Sequence, residues 1–504
     1  MTTYEGKLCS SILKEHFGDV VKQVGDTLFN YGSQDLRFLV VLTKLPLSQV
    51  KKSLCVLIKF GIVFHEKKPK GTMYTLNSGA IIMMLRYSRF IHMVKSNTGD
   101  EAEIMLEEIL KQGYELASKV IIKTHERIFV RTNEEPAFPD LVKQFELLTK
   151  NEYIMRCTAS DEKGICAGEK PDYSMPKLEL PAFPKLARGE EADAGDKGVY
   201  WRVNFDRFIQ DTRDQLVVNM VNDQIDELAG DLMRQLLILS YQRTAGWSDS
   251  LNPVPLTEIR EQVKKNSGNP QLCSYVDQYL RIIGEDFSYN NDTQNIIRRV
   301  GESSGGQYSI NIQEAFSQLA DATLTNIIME RFGSKAARLF SIVLINPHIQ
   351  IEKIQSMMLV DPKDAKRLTF ALLKENYIQM EEIKETAAAL ATSSHYLFYV
   401  NKNNVVKMQM EYCYQAIYNM SQRRTHEATV NKRVTDKYLR MQVIKNNLKA
   451  SGAGDEQINE IDEMMTTVEY EEVERVNTKI KVLSGAEIKI EETLFILSMY
   501  LRYH

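Results

Sequence analysis

Hydrophobic and polar positions along this chain repeat one arrangement four times: an apolar-faced helix that runs straight into a short strand. The copies are Lys52–Phe64 (KSLCVLIKFGIVF), Val142–Met155 (VKQFELLTKNEYIM), Val276–Ser288 (VDQYLRIIGEDFS) and Ala365–Gln379 (AKRLTFALLKENYIQ). In three of them the helix closes on Leu-Ile-Lys, Leu-Leu-Thr-Lys or Leu-Leu-Lys-Glu, passes Gly or Asn, and resumes as an apolar strand. The switch of period from 3.6 to 2 across a turn-forming residue predicts a helix handing over to a hairpin. The third helix of a winged helix-turn-helix meets its wing in this way.

The first copy sits in a complete unit. Leu8, Ile12 and Phe17 share a helix face, Gly32-Ser33 stops the next helix, and another is expected from Gln34 to Leu42. Ser48 is placed to cap the third helix, in which Val50, Leu54, Leu57 and Ile58 point inward. Ile62–Phe64 and Met73–Leu76 then flank a basic hairpin, His65–Gly71. The second unit runs through Ile81–Ile91 and Glu103–Leu110 to Arg156, but its return strand is missing locally. A stretch rich in Gly, Pro, Glu and Asp follows, and Tyr200–Val203 is a delayed candidate for that strand. The third unit has a wing of Ile296–Gly301 and Gln307–Ile310, and the fourth closes with Tyr396–Val400. Residues 405–449 hold neither Pro nor Gly, with Val434, Met441 and Leu448 seven apart. After Ser451–Gly454, apolar spacing resumes at Ile458, Ile461, Met465 and Val468, then at Val476, Ile480 and Leu483.

The fold expected is mainly α with small β wings. Winged helices occupy 1–80, 81–157, 199–312 and 313–403, with 199–203 as the possible return strand of the second. A flexible acidic, Pro/Gly-bearing linker covers 158–198, and an antiparallel coiled-coil hairpin with a docking segment covers 404–504. The last stretch, Glu491–Tyr500, is too apolar to stay solvated, so Leu494, Phe495, Leu497 and Tyr500 are candidate partner-docking residues.

Composition changes this picture only through its distribution. The 504 residues carry a net charge of −4. Residues 1–95 hold 11 Lys and 3 Arg against 3 Asp and 3 Glu, whereas residues 455–492 hold 12 acids against 4 bases. A basic head and an acidic tail point to different partners at the two ends. The 6 cysteines form no Cys-x-x-Cys pair and have no neighbouring His, so neither a zinc ribbon nor a disulfide framework is expected. Cys9, Cys55 and Cys413 fall on apolar helix faces as small core residues. The N-terminus lacks a signal-peptide pattern, no apolar run is long enough for a membrane span, and no membrane partner is expected.

Catalytic constellations are absent from the pattern. Gly301–Gly306 lies between two strands and precedes no Lys-Ser helix, which makes it a hairpin turn rather than a phosphate cradle. The 8 histidines are scattered, and adjacent carboxylates such as Glu107-Glu108 diverge by about 100° on a helix. No catalytic residue, metal or cofactor is expected. The available chemistry is electrostatic: Lys51, Lys52, Lys59, Lys67, Lys68 and Lys70 lie on the third helix and wing of the first unit, where a DNA-binding winged helix neutralises phosphates. Gln49 is the one base-reading type on that helix, so duplex binding there would be weak and sequence-independent. A solvated or protein-docking face is the competing reading, and fold alone does not decide. By charge, only this first copy is suited to DNA.

Several motifs in order resemble one family along essentially the whole chain. Lys7–Gly18, Gly32–Arg37 and Gln49–Leu57 are similar to the N-terminus of the third-largest subunit of DNA-directed RNA polymerase III, and Met84–Ile91 and Tyr200–Phe208 to its middle. Glu330–Phe340 and Glu487–Leu497 are similar to its later parts. The resemblance implies four extended winged helices, a C-terminal coiled coil, and kinship with the alpha subunit of transcription factor IIE. It also implies a non-catalytic nuclear protein. With two smaller subunits it would sit on the clamp of the largest polymerase subunit, help recruit the initiation factor and open promoter DNA for transfer RNA, 5S ribosomal RNA and other short transcripts. The chain departs from some relatives in having a short linker at 158–198 without a strongly basic tract. Two other readings remain: a general initiation factor of the factor-IIE-alpha type, which would carry a zinc ribbon, and a scaffold subunit from a complex outside transcription, which would carry a single winged helix.

Overall fold

A computed structural model describes residues 3–69, 71–132, 136–157, 172–190, 192–244, 251–266, 270–285, 295–301, 306–384, 394–450 and 464–504. The chain forms two compact units, one of Met1–Phe208 with Cys413–Glu491 and one of Ile209–Tyr412 with Glu492–His504.

The first unit begins with α1 (Tyr4–Phe17), α2 (Asp19–Tyr31), β1 (Gln34–Asp35), α3 (Leu36–Thr43), α4 (Leu47–Lys59), β2 (Val63–Lys68), β3 (Gly71–Leu76) and α5 (Ser78–Met83). A second set comprises α6 (Tyr87–Thr98), α7 (Asp100–Gln112), β4 (Tyr114–Leu116), α8 (Ala117–Thr132), α9 (Phe138–Lys150), β5 (Ile154–Arg156), α10 (Phe183–Ala187) and β6 (Tyr200–Val203). The second unit holds α11 (Phe205–Gln224, entering from the first), α12 (Glu227–Tyr241), β7 (Val254–Pro255), α13 (Leu256–Asn266), α14 (Pro270–Glu285), β8 (Ile297–Val300) and β9 (Gln307–Ile310). It continues with α15 (Ile312–Phe332), α16 (Ser334–Ile345), β10 (Ile349–Gln350), α17 (Ile351–Met358), α18 (Pro362–Lys374), β11 (Gln379–Lys384) and β12 (Ser394–Tyr399). Three long helices close the chain: α19 (Lys402–Val430), α20 (Lys432–Ala450) and α21 (Thr467–Tyr503).

The described residues form four three-stranded antiparallel sheets, ordered β1-β3-β2, β4-β6-β5, β7-β9-β8 and β10-β12-β11. In each, the return strand lies in the middle. Tyr200–Val203 takes that place in the second sheet, with Glu115 and Arg156 both opposite Trp201. The wing is therefore closed by a strand more than 40 residues beyond β5.

The helix-to-strand handover repeats in atomic detail. Ile62 N–H donates to Leu57 O (2.9 Å), Tyr153 N–H to Leu148 O (3.1 Å) and Tyr377 N–H to Leu372 O (3.0 Å). The residue before each acceptor-spanning donor has positive φ: Gly61 at 68°, Glu152 at 63° and Asn376 at 60°. These bonds satisfy carbonyls left over at the helix end and turn the chain into the strand. In the third copy, residues 286–288 fall outside the described residues, and the wing strand β8 begins at Ile297.

A second repeat is an asparagine after the return strand. Asn77, Asn204 and Asn311 each donate their backbone N–H to the residue preceding the first wing strand, namely Ile62 (2.8 Å), Tyr153 (2.9 Å) and Ile296 (2.8 Å). Asn77 and Asn311 also cap the following helix through Oδ1, and Asn401 does so for α19 by accepting from Asn404 N–H (3.2 Å).

Trp201, fully buried, stands edge-on to Phe145 at 5.5 Å in the second winged helix. Phe208 stacks between Phe90 (4.7 Å) and Tyr153 (4.8 Å). Part of the segment expected to be a flexible linker belongs to this core. Residues 158–171 and 191 lie outside the described residues, but Phe183 is fully buried against Phe138, and Asp196 Oδ2 accepts the Ser118 N–H at 2.7 Å near the start of α8. Its Gly, Pro and acid content disguised two anchors, one apolar and one helix-capping.

Other details differ by small steps. Helix α4 starts at Leu47 after Pro46, so Ser48 lies inside it rather than at its cap. Asn431 interrupts the long C-terminal run between α19 and α20. Met441, Met465 and Val473 form the hairpin core with Val434 and Leu448 against them, whereas Val468 is exposed; Ile458 and Ile461 lie outside the described residues. Thr466 and Glu469 form a reciprocal capping box at the head of α21, Glu469 N–H donating to Thr466 Oγ1 and Thr466 N–H to Glu469 Oε2. Cys9 and Cys413 are buried, which pushes both thiols up to about 12, but Cys55 is exposed rather than in the core.

The four C-terminal docking candidates are taken up by the chain itself. Leu494, Phe495, Leu497 and Tyr500 are all buried, and Leu497 and Tyr500 belong to the same core as Ile328, Phe340 and Val406. Each such apolar side chain contributes about 1.5–3 kcal/mol on burial. An intramolecular core therefore answers the need to leave water, and these residues are withdrawn as a partner surface.

Candidate nucleic-acid interface

Helix α4 packs through Val50, Leu54 and Leu57, all buried, which turns the opposite side outward. Lys51 and Lys52 are exposed there, with Ser48, Gln49 and Cys55 beside them. Lys67 and Lys68 are exposed on β2, opposite Thr72 and Gly71 of β3. Consecutive strand residues leave on opposite faces of the sheet, so these two do not add to one surface. Lys68 Nζ lies 3.6 Å from Glu66 Oε2 on the same strand. Both groups are largely exposed, so this pair holds the lysine only weakly. Lys70 lies outside the described residues.

Lys59 has a different neighbourhood. Its ammonium stands 5.0 Å from the centre of the Tyr114 ring, and its carbonyl lies where a Cβ on Gly113 would come within 2.9 Å. With φ of 79°, Gly113 is suited to this close approach between α4 and the second winged helix. Lys59 thus serves the packing of two neighbouring winged helices. Periodicity could not reveal this, because it does not say which outward face a later domain covers.

Beside the lysines lies a feature that periodicity missed. Helix α3 buries Leu39 alone, leaving Phe38 60% and Val41 72% exposed, with Leu42 and Leu47 also exposed. Arg37, Lys44 and Lys51 border this ledge, while Asp35 is used to cap α3 by accepting the Phe38 N–H at 2.8 Å. Phosphates do not reward such apolar exposure, whereas a protein partner does. Among the described residues, no group of three His, Cys, Asp or Glu side chains is placed to hold a metal ion, and no helix is long and apolar enough to cross a membrane.

Comparison with known proteins gives one result throughout. Four family descriptions match in order: the RNA polymerase III subunit RPC82 helix-turn-helix domain over 7–67, RNA polymerase III subunit RPC82 over 146–319, the POLR3C C-terminal winged-helix domain over 324–400, and the DNA-directed RNA polymerase III subunit RPC3 helical hairpin domain over 433–496. The chain is 32% identical to DNA-directed RNA polymerase III subunit RPC3 of Rattus norvegicus over 99% of both chains, and 31% identical to that of Homo sapiens over the same shares. The protein of that name from Dictyostelium discoideum is 22% identical over 47% of this chain and 36% of its own length. At 31–32% identity over 99% of both chains, with the four domain descriptions in order along it, the chain belongs to the RPC3 (RPC82) family of DNA-directed RNA polymerase III subunits.

Proposed function

We propose that this chain is a non-catalytic, nuclear subunit of RNA polymerase III that works as an assembly platform in transcription initiation. With two smaller subunits it forms a subcomplex on the clamp of the largest subunit, helps engage the initiation factor, and supports opening of promoter DNA for transfer RNA, 5S ribosomal RNA and other short transcripts. The observation that carries this reading is similarity to RPC3 subunits over 99% of the chain. The architecture supports it, since four winged helices in series offer many docking faces.

On this reading Lys51 and Lys52 of α4, with Lys68 of the wing, meet upstream or opening duplex weakly and without base preference. The ledge of Phe38, Val41, Leu42 and Leu47 favours protein docking at the same winged helix. Affinity purification of the tagged chain from its own cells tests the proposal. The two largest polymerase III subunits should co-purify in near-stoichiometric amount, and their absence would sink it. Gel shifts with the full chain test the DNA component: Lys51→Ala with Lys52→Ala and Lys68→Ala should lower duplex affinity and flatten its salt dependence.

A further inference from the structure

The third winged helix, set aside on charge alone, carries the face best suited to reading bases. Helix α14 buries Leu272, Val276, Leu280 and Ile283 at spacings of four, four and three. Its opposite side presents Gln271, Ser274, Tyr275, Gln278 and Arg281, with Tyr275 51% exposed. These recur at three- and four-residue steps and so form one stripe. We propose that this winged helix binds duplex DNA, with α14 in the major groove and the β8 strand of the wing against the phosphate backbone.

Chemistry separates this face from the other outward helices. Glutamine donates to and accepts from adenine N7 and N6 together, and arginine does the same for guanine as a double donor. Serine and tyrosine hydroxyls bond phosphates and fix register. Helix α4 has only Gln49 of these base-reading types, and α3 exposes apolar groups instead. Ile282, 38% exposed, also lies on this stripe, but the remaining positions are polar or amphipathic, so it resembles a groove-reading surface more than the apolar ledge of α3 does.

The wing supplies the charge. Among the described residues strand β8 lies at the edge of its sheet beside β9, and after buried Ile297 it exposes Arg298 and Arg299. Arg299 is held in place: a Cβ on Gly306 would come within 2.7 Å of its Nε, so the side chain lies across the bare Cα of that glycine. Gly306 has φ of 72°, which already favours glycine. Lys264 and Lys265 end α13 in exposed positions shortly before α14 begins. The acid on this side, Asp277, is paired with Arg260 of α13 and Glu258 with Arg243, and Glu261 is a further exposed acid of α13. The balance near the stripe is positive.

The inference does not rest on polymerase membership or on the first winged helix. Its test uses the full chain, a fluorescent duplex of about 25 base pairs and a series of salt concentrations. Each lost phosphate contact lowers the slope of log K against log salt by about 0.9. Because consecutive strand residues leave on opposite faces, one of the two arginines meets the backbone, so Arg298→Ala with Arg299→Ala should reduce the slope by about 0.9 and weaken binding severalfold at moderate salt. Arg298→Lys with Arg299→Lys should keep the slope, which separates lost charge from a fold defect. Tyr275→Ala with Gln278→Ala should weaken binding roughly tenfold with the slope unchanged. The proposal is overturned if the chain fails to bind the duplex, or if the Lys51, Lys52 and Lys68 substitutions alone remove all binding. It is equally overturned if the α14 and β8 variants bind DNA like the parent and instead lose a polymerase subunit in purification.

Discussion

Arg86, on a short 3-10 turn after α5, donates through Nε to Glu491 near the middle of α21, 405 positions along the chain. The two side chains are only 9% and 4% exposed. Burial lowers the Arg86 guanidinium from its ordinary value, and the charge and hydrogen bond of Glu491 act against that lowering. Arg89 adds a bond from Nη2 to Ile488 O at 3.0 Å. Arg89 Nε also lies 3.7 Å from Glu491 Oε2, so losing Arg86 leaves the buried Glu491 with one longer ion pair, a cost of up to about 3–5 kcal/mol. Arg86→Leu should therefore lower the denaturation midpoint strongly, whereas Arg86→Leu with Glu491→Leu should recover most of the loss. Equal midpoints for the single variant and the parent would refute this role.

Tyr503 holds the other end of α21. Its hydroxyl accepts from Arg213 Nη1 at 2.9 Å, and the fully buried Arg213 side chain also bonds Asp214 and Tyr241. Burial opposes the charge on Arg213, but Asp214, Tyr241 and Tyr503 outweigh it and raise its pKa. Tyr503→Phe leaves a buried donor short of one acceptor and should cost about 1–3 kcal/mol. Hydrogen exchange should show the last turns of α21 opening faster, with exchange in α1 unchanged.

Much of this architecture was legible in the chain because each winged helix repeats the same local physics. The apolar spacing of α4, α9 and α18, and the Gly or Asn after or within each handover, marked the three clearest copies. In the second copy Asn151 is followed by Glu152, and it is Glu152 that takes the left-handed turn. The delayed strand at Tyr200–Val203 stood out by its aromatic and β-branched content. What failed depended on distant partners. Phe183 and Asp196 looked like linker because the core and helix they serve lie 40 or more residues earlier. Leu497 and Tyr500 looked free to bind a partner because their covering core begins near Ala320. Lys59 could not be told from Lys52 until Tyr114 was placed over it. The stripe on α14 was hidden because net charge averages over a segment and ignores which face is outward.

The asparagine after each return strand was an available signal that composition passed over. Asn77→Ala and Asn311→Ala each remove an N-cap and should cost about 1 kcal/mol. Asn204 does more, since its Nδ2 donates to Glu152 O at 2.9 Å and bonds Tyr173 Oη at 3.1 Å. Asn204→Ala should therefore be the most costly of the three, by roughly a further 1 kcal/mol. Chemical denaturation of the three variants checks the order, and equal losses would show that the side-chain bonds of Asn204 add nothing.

Acid should loosen the junction of α7 and α8. Arg127 Nη2 donates to Glu107 Oε2 at 2.7 Å and its Nη1 to Glu108 Oε1 at 2.6 Å, while Lys111 Nζ lies 2.9 Å from Glu107 Oε1. Burial alone would raise the Glu107 carboxyl, but the hydrogen bonds and charges of Lys111 and Arg127 outweigh it and hold it below its ordinary value of 4.5. A carboxyl depressed in the folded state binds its proton less readily there than when unfolded. Its contribution is therefore complete above the ordinary carboxylate range and disappears as pH falls through the folded value. In the parent, the denaturation midpoint should drop as pH falls below about 5. Glu107→Gln should start lower at neutral pH and show a shallower acid decline, so that the two curves converge in acid. Parallel curves would mean that Glu107 has no linked proton and that its bonds to Arg127 and Lys111 contribute no pH dependence.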